Sequence, residues 1–342
     1  MVGIVPIWKQ FERLTQRILE LHEFKIRKYE VRGDAGYDLE ATLGSDRWAI
    51  EVKFYRTSRA QTALIEAAAT RLMRNAGISE TTKGMLVVSC ILPTELRQVL
   101  EGIFSVTFID RIDLKSLAST SPKLVEELEA LLETEVSSVF ELYQLRKDPL
   151  SHARPLNALP APPAESQGTT LCTELREVEK GKKGWKVYEA TCEKVLRYLF
   201  PSDLYGWHPQ KRTDDGLNRY DFVCRVRPTT EFWRFVIEHL DSRYVLFEFK
   251  NYSGKIKQGQ ILTTEKYLLQ RGLRRVAVIF SRSGADSHAI AMAQGAMREQ
   301  GKLMLILDDD AICQMLHMKE SGSDPSDCLF DLADEFLLRL PR

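Results

Sequence analysis

The sequence predicts an α/β protein built as two modules in one chain. Short β-branched apolar runs alternate with amphipathic stretches, the pattern of strands buried between helices. The order of these elements occurs twice along the 342 residues. A proline-rich segment, DPLSHARPLNALPAPPAESQGTT (148–170), separates the two occurrences. Its prolines exclude helix and central strand, so it reads as a semi-extended linker.

The boundaries follow: a first module with a trailing helix over 1–147, a linker over 148–184 and a second module over 185–342. Each module is of ordinary domain size. The first opens with the helix FERLTQRILEL from Phe11, the second with YEATCEKVLRYLF from Tyr188. Aligning Glu12 with Glu189 places Ile18 over Val195 and Leu19 over Leu196. A turn-rich stretch ending in an acid comes next, GDAGYD at Asp38 and TDDGLNRYD at Asp221. Then come apolar strands with a matching charged pair, WAIEVKF with Glu51 and Lys53, and YVLFEFK with Glu248 and Lys250. Helical segments at 58–76 and 257–271 precede strands at 84–89 and 274–281, and after further helix the halves close with SVTFIDRIDL (105–114) and LMLILDDDAI (303–312). The acidic run Asp308, Asp309 and Asp310 reads as a helix cap after the last strand. Between the modules, 121–145 reads as a helix with Ser121 as N-cap and Pro122 in first position, and 326–340 as a similar C-terminal helix.

Composition narrows the function. The chain has 48 basic and 48 acidic residues, 44% apolar and 28% charged residues, which describes a soluble globular protein. Such a balance excludes a general nucleic-acid coat protein, so binding to nucleic acid must come from local patches. KIRKYEVR (25–32), KGKK (180–183) and GLRRVAVIFSR (272–282) are the candidates, each with solvated surface as its plain reading. No apolar run approaches the length that spans a bilayer, so no membrane partner is expected. The opening MVGIVPIWKQFERL lacks a basic stretch followed by an apolar run, so no secretory leader is expected and the expected location is cytoplasmic. The six cysteines are scattered without a Cys-x-x-Cys pair, which favours reduced thiols over a disulfide framework or a zinc knuckle. The histidines show no ligand spacing, and there is no Walker-type glycine loop, helix-turn-helix or zinc finger.

The charged strands carry the chemistry. A strand alternates its faces, so Glu51 and Lys53 point one way with Ala49, while Ile50, Val52 and Phe54 point the other. Glu248 and Lys250 repeat this among Leu246, Phe247 and Phe249. Strands of an α/β sheet have both faces covered, and burying a carboxylate beside an ammonium seldom improves stability. A hard divalent cation repays that cost, since Mg²⁺ takes one or two carboxylates plus phosphate oxygens and waters. Asp38 precedes Glu51 by 13 residues, enough for a turn and an adjacent antiparallel strand, and Asp221 precedes Glu248 by 27, through TTEFWRF. Asp38, Glu51, Asp221 and Glu248 are thus candidate metal ligands for Mg²⁺, with Mn²⁺ as a substitute. Lys53 and Lys250 would orient or activate water and offset charge growing on a phosphoryl oxygen. The plain alternative is an edge-strand ion pair worth about 0–1 kcal/mol; two copies at matching places argue against it. Arg56 and Arg59 after the first triad, and Lys255, Lys257, Gln258 and Gln260 after the second, are candidate phosphate contacts.

An acid, a gap and then Glu-x-Lys within a strand resembles the PD-(D/E)XK nuclease superfamily. GDAGYD followed by AIEVK looks like its Mrr-like restriction endonuclease branch. The resemblance covers most of 8–115 and 185–318 and implies two restriction-endonuclease-like modules, each a mixed central sheet of four to five strands flanked by helices. It implies Mg²⁺-dependent hydrolysis of DNA, a restriction or antiviral defence role, and a further catalytic glutamate on the early helix, the position of Glu12 and Glu189. DNA, other defence-system subunits and a homo-oligomer are the partners it suggests. The second copy departs from the pattern: it lacks the paired glycines before Asp221 and has the longer gap. An RNA or tRNA nuclease, or an inactive nucleic-acid-binding scaffold of a defence complex, is an alternative that the triads do not exclude.

Overall fold

The computed structural model describes residues 5–27, 37–76, 79–132, 146, 149–150, 153–156, 167–209 and 220–341. The glycine turn 33–36, the 213–219 turn, most of the proline-rich segment and the 133–145 part of the expected helix lie outside the described residues. The chain divides into two compact units, 1–163 with 320–323, and 164–319 with 324–342.

In the first unit, α1 (Ile7–Glu20) buries Phe11, Leu14, Ile18 and Leu19 along one face. Strands β1 (Lys25–Arg27), β2 (Leu39–Leu43) and β3 (Asp46–Lys53) follow. Leu43 pairs with Asp46 across a two-residue turn, and Gly44 there has φ +60°, which a glycine-first hairpin turn requires. Then come α2 (Thr62–Ala76), β4 (Ser79–Val88), α3 (Thr94–Ile103), β5 (Val106–Ile109), α4 (Arg111–Ala118), α5 (Pro122–Leu132) and the short β6 (Pro155–Leu156). The strand order is β1-β2-β3-β4-β5, with β6 on the outer part of β4. Pairs β1–β2 and β2–β3 are antiparallel; β3–β4 and β4–β5 are parallel. One face of this mixed sheet packs Ile50 and Val52 with α1, α4 and α5; the other packs Ala49 and Leu86 with α2 and α3.

In the second unit the elements are α6 (Gln167–Glu177), α7 (Trp185–Leu199), β7 (Leu204–Pro209), β8 (Phe222–Val226), α8 (Glu231–Glu238) and β9 (Tyr244–Lys250). They continue with α9 (Gln258–Tyr267), β10 (Val276–Ser281), α10 (Ser287–Gln300), β11 (Leu303–Leu307), α11 (Asp309–Glu320) and α12 (Ser326–Leu338). The sheet runs β11-β10-β9-β8-β7. Its pairings repeat those of the first unit: β7–β8 and β8–β9 antiparallel, β9–β10 and β10–β11 parallel. Phe247 and Phe249 face α7 and α8, whereas Leu246 faces α9 and α10. Asp308 caps α11, its carboxylate accepting from Ala311 N–H at 2.9 Å.

Two details differ from the sequence reading. The expected linker runs to 184, yet residues 167–177 form α6, whose Leu171, Cys172 and Leu175 are buried in the second unit's core. The expectation of reduced thiols is corrected at one pair: Cys172 and Cys313 form a disulfide, with Cα atoms 5.1 Å apart and 141 residues between them in sequence. Spacing along the chain carries no record of such a meeting between α6 and α11. Cys90, Cys192 and Cys224 are buried free thiols and Cys328 is half-buried. Among the described residues, no helix is long and apolar enough to cross a membrane.

Candidate active sites

In the first unit, β3 delivers Glu51 and Lys53 to the α2 side of the sheet. Glu51 is 1% exposed, and Lys53 Nζ lies 2.7 Å from its Oε1. Arg71 Nε, from α2, approaches the same oxygen at 4.0 Å. Asp38 stands at the leading end of β2. Its N–H donates to Ile50 O at 3.0 Å, and its Oδ2 accepts from Val52 N–H at 2.7 Å. The antiparallel register thereby sets an acid beside the residue lying between Glu51 and Lys53. Burial pushes the Glu51 carboxyl up to about 7, against the pull of Lys53, and the neighbouring Asp38 adds to the rise.

The second unit repeats this arrangement. Asp221 Oδ2 accepts from Phe249 N–H at 2.9 Å. Lys250 Nζ donates to Glu248 Oε2 at 2.6 Å and lies 3.9 Å from Asp221 Oδ2. Glu248 is pushed up to about 7 by burial, opposed by Lys250 and reinforced by Asp221. Burial alone would lower Lys250, but Glu248 and Asp221 outweigh it and hold the ammonium above its ordinary value. The 27-residue gap is absorbed by α8, inserted between β8 and β9.

Residues 7–118 match the family model of Mrr-type restriction endonucleases. The match takes in α1, β1 to β5 and the Asp38, Glu51 and Lys53 set. No curated protein matches the chain significantly. Among solved structures, restriction endonuclease FokI bound to DNA aligns at 10% identity, 80% coverage of this chain and a TM-score of 0.30. The chain spans about half of that protein's length, 48%.

The early-helix glutamates part ways. Glu189 of α7 lines a cleft of about 600 Å³ together with Asp221, Phe222, Phe249, Trp185 and Lys186. Glu12 of α1 is paired with Lys9 at 2.7 Å, one turn away on its own helix. The candidate phosphate contacts also divide. Arg56 is half-buried and Arg59 exposed, both in the irregular stretch between β3 and α2. Lys255 and Gln258 are exposed near the start of α9. Gln260 accepts from the Lys257 backbone N–H at 2.9 Å, so its side chain caps the helix at whose N-cap Lys257 stands.

Each triad offers two carboxylates. Among the described residues no group of three or more His, Cys, Asp or Glu side chains is placed to hold a metal. Sequence reasoning missed several neighbours. Tyr37 and Tyr220 each stand directly before the leading acid. Tyr220 packs edge-on against Tyr267 of α9 at 5.1 Å, and burial followed by the nearby Glu248 charge raises the Tyr267 phenol. The repeated Tyr-Asp dipeptide was the available signal. Asn251, directly after Lys250, and Arg282, after β10, are also buried; their partners lie far off in sequence, so no local pattern marks them.

Proposed function

We propose that the chain is a metal-dependent endodeoxyribonuclease whose two units each hold a phosphodiester-hydrolysing triad. The observation that carries this reading is the repeated backbone bond: an acid at the leading end of one strand accepts the N–H between Glu and Lys of the next, Asp38 on Val52 and Asp221 on Phe249.

The carboxylates suit a small hard cation. Glu51 Oε2 and Glu248 Oε1 are buried and accept no hydrogen bond among the described residues, and two acids per site match the one or two that Mg²⁺ takes. Asp38 with Glu51, and Asp221 with Glu248, would hold Mg²⁺ or Mn²⁺. When bound, the ion would supply Lewis-acid polarisation of the scissile phosphate. Lys53 and Lys250 hold an ammonium against each glutamate, able to orient water and offset charge growing on a phosphoryl oxygen. The desolvated surroundings strengthen that effect.

Two triads in one chain suit one cut per strand of duplex DNA. The setting that fits is cytoplasmic restriction or antiviral defence. The test is plasmid cleavage in Mg²⁺ by wild type, Glu51→Ala, Glu248→Ala and the double variant. Each single variant is expected to nick, and the double variant to leave the plasmid intact. Equal cleavage by all four, or no cleavage by wild type in Mg²⁺ or Mn²⁺, sinks the assignment.

A further inference from the structure

The stretch Glu179-Lys180-Gly181-Lys182-Lys183-Gly184, in the second unit, presents three exposed lysines. Buried polar side chains hold its backbone. Asn251, 7% exposed, donates from Nδ2 to Glu179 O at 2.9 Å and to Gly181 O at 3.0 Å. Its backbone carbonyl accepts from Gly181 N–H at 2.8 Å. Arg282 donates to Val178 O at 2.9 Å and Arg176 O at 3.2 Å, and its Nε lies 2.6 Å from Asp309 Oδ2. Gly181 has φ +93°. A Cβ at Gly184 would stand 1.9 Å from Glu179 O, so the loop closes only on glycine.

A solvated lysine loop needs no such frame. Fixing this backbone costs conformational entropy, and burying Asn251 and Arg282 is tolerable only because their hydrogen bonds are made. Asn251 is covalently next to Lys250 of the triad. Past Gly184, Trp185 and Lys186 line the cleft that also holds Asp221, with Lys186 Nζ 5.6 Å from the Trp185 ring centre. Lysines in a fixed loop meet phosphates without first ordering the backbone, which is where preorganisation adds affinity.

We propose that the loop 179–184 is a preformed grip for the phosphate backbone of duplex DNA beside the second cleft, with Asn251 and Arg282 as its positioning residues. The proposal rests on the nuclease reading and extends it to a site of substrate contact. The grip reads no bases, since lysine contacts to phosphate fix register without carrying sequence.

The experiment measures affinity for a labelled duplex against NaCl concentration. The parent is the full chain carrying Glu51→Gln and Glu248→Gln, which keeps the duplex intact. Adding Lys182→Ala and Lys183→Ala removes two exposed charges, and with Lys183 its exposed 4.0 Å contact to Glu179. The slope of log affinity against log salt should then become shallower by about 2, near 0.9 for each lost phosphate contact. Asn251→Ala should weaken binding too, and combined with the lysine changes it should add little. If the parent binds and the lysine changes leave the slope unaltered, the grip is wrong and the nuclease reading stands. Additive effects of Asn251→Ala and the lysine changes would remove Asn251 from the positioning role. If the parent binds no DNA at any salt concentration, both readings fall.

Discussion

Asp221 Oδ2 accepts the Phe249 N–H at 2.9 Å, which fixes an acid from the leading end of β8 beside the glutamate and lysine of β9. The bond uses the carboxylate as an acceptor, so shape and charge can be separated by substitution. Asp221→Asn keeps an acceptor oxygen and should unfold within about 0.5 kcal/mol of wild type. Asp221→Ala orphans a half-buried N–H and should lose about 1–3 kcal/mol in urea denaturation. Both should abolish the second unit's heat of Mg²⁺ binding in calorimetry. Asn retaining that heat would show that the charge is not used.

Stability should depend on pH in an unusual direction. Glu51 and Glu248 each rise from an ordinary 4.5 to about 7 when folded. Between those values the folded chain keeps protons that the unfolded chain has lost. Metal-free stability should therefore fall as pH rises through the window, on the order of 1–3 kcal/mol per site. Urea midpoints in EDTA at about pH 5 and about pH 7.5 measure it. Glu51→Gln with Glu248→Gln should flatten the dependence. Saturating Mg²⁺ should reverse it, because the ion binds the deprotonated carboxylates.

Lys53 is the cation closest to a glutamate only 1% exposed. Lys53→Met removes the pull that opposes burial, so Glu51 should take up a proton at neutral pH, and the cost should be about 1–3 kcal/mol. Adding Glu51→Gln should restore most of the loss. A double-mutant cycle in urea reads the coupling, and a coupling near zero would make the pair an incidental contact.

The disulfide gives a direct count. Thiol titration of the unfolded, unreduced chain should find four of six cysteines, the four free thiols being Cys90, Cys192, Cys224 and Cys328. Reduction should raise the count to six and destabilise the second unit by roughly 2–5 kcal/mol. Six thiols before reduction would show the pair open.

The charged strands, their neighbours and the faces they present were legible because alternation in a strand is a local property. Ala49 and Leu246 share the faces of their glutamates, as the spacing requires. The register that puts Asp38 opposite Ile50–Val52 was half legible: the gap allows a hairpin, but only backbone pairing fixes which N–H the acid meets. Helix α6 was hidden by prolines just upstream, which make its polar first turn read as more linker. The Cys172–Cys313 bond and the Asn251 and Arg282 contacts join segments that no window along the chain brings together. Glu12 and Glu189 were placed by one and the same resemblance; Glu189 lines a cleft with its unit's leading acid, whereas Glu12 is paired with Lys9 on its own helix.

Helix α8 has a consequence for finding such sites. The spacing from acid to glutamate is 13 residues in one unit and 27 in the other, a difference of 14, while the bond from acid to backbone is the same in both. Phe232 and Trp233 are fully buried, so the inserted helix has its own place in the core and leaves the β8–β9 pairing intact. A scan that insists on one gap length reads the second triad as noise. Comparing which backbone N–H an acid accepts would recover it, along with any relative in which a different insert occupies that turn.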